Sequence, residues 1–360
     1  MLSARYASLR VLLGALTLAT AGCSTATFMT VKRAGEPDLV LRGLSACNAG
    51  THESFDLDPT RPLIVLVHGC NFSMGGFRNL AEVFEANGQQ TVCFSYDDRS
   101  TIEASSRQLV NVLEALEAFA PGQQITVLGH SQGGLVARHS FSADRDRSFA
   151  KTFRYRLVTL SAPFSGINSS RQCGLPWLRV ASLGVTALIC QLIAGDKWTE
   201  IYPGSAFMTE PGTLSSGVSV HLRIATDERG RCARRGRDGA CVKRDETFSL
   251  AEQLSTPIDS DARVEKVEIQ AGHTEIVGEW GKPPLKLIAV LQQMNILAQT
   301  LPWRRDRVNA VLERLYGVPS DAEAADSASQ ATLVTPPGEV QLRSRAHREC
   351  VPNEGCDRNE

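Results

Sequence analysis

Apolar residues fall along this chain in two rhythms. Leu63-Ile64-Val65-Leu66-Val67 is an unbroken apolar run and Ile125 to Leu128 a short apolar β-branched one, while Tyr155 to Leu160 reads as a further strand. Such runs predict strands covered on both faces. Thr91 to Tyr96, Val218 to Ala225 and Val264 to Ile269 add further strands. Between them apolar residues recur at helical spacing. Phe77, Leu80, Ala81 and Phe84 predict a helix from Phe77 to about residue 86, and Leu109, Val110, Val112, Leu113, Leu116 and Phe119 predict one over 102–119. The segment after Leu128 turns helical, and Leu287, Val290, Leu291, Met294 and Leu297 give a core-facing stripe for one or two helices within 285–315. Strands alternating with helices imply right-handed crossovers, hence an α/β fold with a mostly parallel sheet and helices on both faces.

Outside that rhythm the chain divides into other regions. Residues 24–60 read as a linker and lead-in, 61–316 as the folded domain, and 317–360, rich in Ala, Ser, Pro and charge, as a disordered tail. Residues 167–210 are too long for a plain connection and predict a cap insert. Its residues Trp177, Leu178, Val180, Leu183, Val185, Leu188, Ile189, Leu192 and Ile193 fit either a cover over a site or a helix buried on the core. Arg179 and Gly184 interrupt that run and argue against a membrane span.

A formal net charge of −1 gives no global field for nucleic acid. The N-terminus reads as an export signal: Arg5 and Arg10 precede the apolar run Val11 to Ala19, and small residues follow. Thr20-Ala21-Gly22-Cys23-Ser24 resembles a bacterial lipoprotein cleavage box, with Thr20 where Leu is usual. The resemblance implies lipidation of Cys23, delivery to the outer membrane and contact with the membrane through that anchor; a periplasmic or secreted protein is the alternative. The ten cysteines fit an oxidising compartment. Cys232 with Cys241, Cys350 with Cys356 and Cys173 with Cys190 are expected pairs, and no cysteine spacing suggests zinc. The arginines at 229, 231, 234, 235 and 237 predict a solvated hairpin tip rather than a headgroup contact.

The chemistry gathers at Gly129-His130-Ser131-Gln132-Gly133, a G-x-S-x-G stretch with a strand before it and a helix after it. In that context the turn lifts the Ser131 hydroxyl above the sheet, and the helix N-terminus faces developing negative charge. The chain thus resembles the α/β-hydrolase superfamily, in its lipase and esterase branch, over roughly residues 60–300. Leu66-Val67-His68-Gly69-Cys70 resembles the strand-H-G segment of that group. Thr159-Leu160-Ser161-Ala162-Pro163-Phe164-Ser165-Gly166 and Tyr202-Pro203-Gly204-Ser205-Ala206-Phe207 resemble two further stretches of bacterial lipases.

The resemblance implies Ser131 as nucleophile and His273, in Gly272-His273-Thr274-Glu275-Ile276 after the last strand, as its base. Among the other histidines, His68 and His130 belong to strand-end motifs, His139 lies on the helix after Ser131, and His52, His221 and His347 have no motif. The acid is expected after the strand ending near Ala225. Asp245, in Arg244-Asp245-Glu246-Thr247-Phe248-Ser249, resembles a lipase pattern and is favoured; Asp227 is the alternative, with Glu228 and Asp259 behind them. The backbone N–H groups of Cys70 and Gln132 are expected to form the oxyanion hole, with Asn71 as a substitute for Cys70. A redox or catalytic thiol at Cys70 is disfavoured for want of a motif. These residues imply a serine hydrolase of carboxylic esters acting through an acyl-enzyme on a small-molecule or lipid ester, without metal or organic cofactor. An acyltransferase or thioesterase on the same scaffold, or a non-catalytic envelope lipoprotein, is the alternative.

Overall fold

The computed structural model describes residues 27–47, 54–70, 74–143, 155–174, 182, 195–317 and 331–333. Four short strands come first: β1 (Phe28–Lys32), β2 (Leu39–Arg42), β3 (Leu44–Ser45) and β4 (Ser54–Asp56). Strands and helices then alternate: β5 (Leu63–Val67), α1 (Met74–Ala86), β6 (Gln90–Phe94), α2 (Ile102–Phe119), β7 (Ile125–His130), α3 (Gln132–Ser140), β8 (Tyr155–Leu160) and β9 (Val218–Asp227). The hairpin β10 (Cys232–Arg235) and β11 (Cys241–Arg244) follows, then β12 (Val264–Gln270), α4 (Leu285–Gln293), α5 (Arg305–Tyr316) and β13 (Ala331–Leu333).

The main sheet has eight strands in the order β13-β12-β9-β8-β7-β5-β6-β3. Neighbours from β12 through to β6 pair in parallel, and the edge strands β3 and β13 pair antiparallel. The expected α/β architecture, with a mostly parallel sheet covered by helices, is therefore present. Its two faces follow the pleat, because successive strand residues point to opposite sides. Leu63, Val65 and Val67 of β5 join one apolar cluster with Leu109, Leu113 and Leu116 of α2 and Val136 of α3. Ile64 and Leu66 join the other with Phe77, Leu80 and Phe84 of α1 and Leu287, Val290 and Leu291 of α4.

Residues 27–56, expected to be linker, carry four strands. β1 pairs with β2 and β4 in a small separate sheet, and β3 closes the main-sheet edge beside β6. These strands are two to five residues long and partly exposed, so they leave only a faint periodic trace. A disulfide from Cys47 to Cys93 ties that edge to β6. The expected Cys232–Cys241 bridge is also formed, across the arginine-rich hairpin, whose second strand is exposed along its length. The pairings expected for Cys173 with Cys190 and Cys350 with Cys356 lie outside the described residues, as do the N-terminal 26 residues and most of the apolar part of the cap insert. No helix among the described residues is long and apolar enough to cross a membrane.

The connections reverse direction at one place. The chain runs from β5 outward to β6, then returns through α2 to β7 on the opposite side of β5. Loops leaving the carboxyl ends of β5 and β7 diverge there, and open α/β sheets place their ligand sites in that crevice.

Candidate active site

Ser131 sits in that crevice, between the last residue of β7 and the first of α3. Its backbone holds φ 57° and ψ −127°. A non-glycine residue reaches such angles only against a cost of about 1–3 kcal/mol, met by the surrounding packing. Gly133 shows why packing forces the turn. A Cβ there would stand 2.1 Å from the Val67 carbonyl oxygen and 2.4 Å from that of His68. The first turn of α3 is thus pressed against the end of β5, where no side chain fits. Gly129 is equally constrained: its Cβ would lie 2.3 Å from the Gly133 carbonyl oxygen.

His273 leaves the end of β12. Its backbone carbonyl takes a hydrogen bond from His130 Nε2 at 3.0 Å, and the two rings lie 4.7 Å apart. The histidine late in the chain is therefore fastened to the residue immediately before Ser131. Burial holds the His130 imidazole well below its ordinary pKa, so it stays neutral while its Nε2–H serves as that clasp. Phe248 meets the His273 ring edge-on at 4.9 Å.

The carboxylate at the His273 ring belongs to Glu228. His273 Nδ1 lies 3.0 Å from Glu228 Oε1, and the Glu228 side chain is 2% exposed. A carboxylate only accepts, so Nδ1 is the donor in this contact. Glu228 is held from every side. The backbone N–H groups of Thr247 and Phe248 donate to Oε2, and the Thr226 and Ser161 hydroxyls donate to Oε1 at 3.1 and 3.3 Å. A buried charge so surrounded is satisfied rather than orphaned.

The sequence favours Asp245 for this position, but the structure places Glu228 there and Asp245 elsewhere. Across the base of the hairpin β10–β11, Asp245 N returns to the Arg231 carbonyl at 3.0 Å. The Asp245 carboxylate, however, serves the backbone of the histidine loop. It accepts from Thr274 N at 3.0 Å, Glu275 N at 2.9 Å and Thr274 Oγ1 at 2.9 Å, at the start of a short 3₁₀ turn. These donors at the start of the turn hold it away from the His273 ring. The alternative, Asp227, turns the other way and takes a bidentate pair from Arg229 at 2.8 and 2.6 Å. That hydrogen bond is the main reason its carboxyl titrates below the usual range. Asp259 pairs with Arg223 at 2.6 Å.

Cys70 and Gln132 meet across the same crevice: Cys70 Sγ lies 2.6 Å from Gln132 Oε1. Asn71, the substitute for Cys70, lies outside the described residues. The remaining histidines are otherwise engaged. His68 stacks on Tyr96 at 4.6 Å, His139 pairs with Glu103 at 2.9 Å, and buried His221 bonds Thr159 Oγ1 at 2.8 Å. His52 and His347 lie outside the described residues. Among the described residues no three His, Cys, Asp or Glu side chains are grouped to hold a metal ion.

Residues 63–209 match the family of palmitoyl protein thioesterases. No curated protein matches the chain at a significant level. Solved structures with similar folds include a lipase of Bacillus licheniformis in mature form, at 14% identity and a TM-score of 0.45, covering 70% of this chain and 97% of that one. An esterase of Pyrococcus furiosus matches at 15% identity and a TM-score of 0.37, covering 80% and 89%. A carboxylesterase of Nitrososphaera gargenis matches at 10% identity and 0.39, covering 68% and 93%.

Proposed function

We propose that this chain is a serine hydrolase that cleaves carboxylic esters through an acyl-enzyme on Ser131. The supporting observation is the fastening of the His273 loop to His130, with Glu228 at Nδ1 of the His273 ring. In this reading Nε2 of His273 takes the Ser131 proton as Oγ attacks the substrate carbonyl. Glu228 holds the Nδ1–H tautomer and stabilises the imidazolium that forms. The backbone N–H groups of Gln132 and Cys70 receive the oxyanion, as a strained turn leading into a helix N-terminus favours. His273 then protonates the leaving alcohol, and water activated by the same nitrogen opens the acyl-enzyme.

The match to palmitoyl protein thioesterases supports a second substrate class, thioesters, on the same machinery. The better leaving group needs less protonation, while the attack is unchanged.

Export of the chain, lipidation of Cys23 and residence at the outer membrane belong to this proposal. The two disulfides among the described residues support an oxidising compartment. The partners are then a lipid or small-molecule ester and the membrane holding the anchor.

The test is turnover of p-nitrophenyl butyrate and of a butyryl thioester by the full chain and its Ser131→Ala variant. The proposal requires hydrolysis of at least one, lost in the variant. Hydrolysis of neither, or equal hydrolysis by both proteins, would refute it.

A further inference from the structure

Lys197 is the most unexpected side chain near this crevice. It directly precedes the short helix Trp198–Ile201, at the end of the cap insert, and is only 6% exposed. Its ammonium has three N–H groups and meets three acceptors: Cys70 Sγ at 2.9 Å, Gln132 Oε1 at 2.6 Å and the Asp98 backbone carbonyl. Gln132 Nε2 donates to that same carbonyl at 3.0 Å, and the Cys70 thiol meets Gln132 Oε1. Four segments, distant in sequence, therefore close into one polar cluster around a buried cation.

An ammonium withdrawn from water is disfavoured unless all its hydrogens are accepted. Here the acceptors are a thiol, an amide oxygen and a carbonyl oxygen. A methionine would fill the same volume without that desolvation. What the lysine adds is direction: it fixes the Gln132 rotamer and holds Cys70 against it.

We propose that Lys197 is a positioning residue for the oxyanion hole. It acts through Cys70 and Gln132, whose N–H groups would receive the negative oxygen, and it sets a fixed positive charge behind them. Preorganised donors and charges matter most where charge develops, because they need no rearrangement during the reaction. This rests on the serine hydrolase reading. It also gives the cap insert a role in catalysis, since the residue that arranges the hole comes from its C-terminal part.

The experiment compares the full chain with Lys197→Met, Lys197→Arg and Gln132→Met on p-nitrophenyl butyrate, alongside Ser131→Ala. Thermal midpoints and affinity for phenylboronic acid, which forms a tetrahedral adduct on the serine, are measured in parallel. Lys197→Met is expected to lower kcat by about 10²-fold with KM within about twofold, and boronate affinity should fall with kcat. Lys197→Arg should recover about tenfold of the loss, because it restores charge and donors. Gln132→Met keeps the backbone N–H but removes the acceptor, and should lower kcat with KM unchanged; it decides the matter if Lys197→Met does not fold.

Unchanged kcat in Lys197→Met, or a fall in thermal midpoint with boronate affinity intact, would reduce Lys197 to a cap latch and overturn the proposal. Turnover that survives Ser131→Ala would sink the hydrolase reading itself. Turnover lost in Ser131→Ala but untouched in Lys197→Met and Gln132→Met would sink the role of Lys197 alone.

Discussion

Nδ1 of His273 lies 3.0 Å from Oε1 of Glu228, with the two side chains 9% and 2% exposed. This contact joins the loop after β12 to the end of β9, strands that run parallel over seven paired residues. Two aspartates flank Glu228, one adjacent and one beyond the hairpin, yet neither reaches the ring. For Asp227 the reason is the pleat. Thr226 and Glu228 are two apart and share a face, where the Thr226 hydroxyl bonds the Glu228 carboxylate at 3.1 Å. Asp227 points to the opposite side, toward Arg229.

Glu228→Gln should therefore lower kcat for an ester substrate by roughly 10⁴-fold, the scale seen when a triad carboxylate becomes an amide and the wrong tautomer is held. Asp227→Asn should change kcat by less than about twofold, because Asp227 pairs with the exposed Arg229 and does not meet the His273 ring. Steady-state kinetics on the two variants check the order; the reverse order would restore Asp227.

Asp245→Ala should act on stability first. It strands the partly buried Thr274 and Glu275 N–H groups, at about 1 kcal/mol or more. Gly272→Ala should behave alike, since a Cβ there would stand 2.1 Å from Asp245 Oδ2. Urea unfolding measures both. An unchanged midpoint in both would show that the carboxylate does not hold the loop.

Ser131→Gly should abolish turnover and raise stability by about 1 kcal/mol. Glycine occupies φ 57° without the steric cost that serine bears there. A lower unfolding midpoint than wild type would contradict the strain argument.

Acid should weaken the fold from near neutrality downward. Burial, the largest cause for each, holds His130 and His221 well below their ordinary value of 6.5. Below pH 6.5 the unfolded chain takes up protons at these positions and the folded chain does not. Stability is thus fully present above pH 6.5 and falls with pH at about 1.4 kcal/mol per unit for each histidine. His221→Gln should flatten that slope. An unfolding free energy independent of pH between 7 and 5 would contradict the burial argument.

Much of this was readable in the residues because it is local. The apolar runs at β5 and β7 mark strands buried on both faces, and the glycines around Ser131 mark a turn that admits no side chains. The Cys232–Cys241 pair closes a short hairpin and was equally visible. Glu228 was hidden because Asp227, Glu228 and Asp245 reach one strand end. Strand parity with Thr226 was the available signal, and it requires knowing that β9 runs on to Asp227. The Cys47–Cys93 bridge and the lysine at 197 depend on contacts between distant segments, which no periodicity records.

The most direct measurement is labelling of the full chain with a fluorophosphonate, followed by peptide mapping. The account predicts one adduct on Ser131, absent in Ser131→Ala and strongly slowed in His273→Ala and Glu228→Gln. An unlabelled wild type, or an adduct that persists in Ser131→Ala, would contradict it.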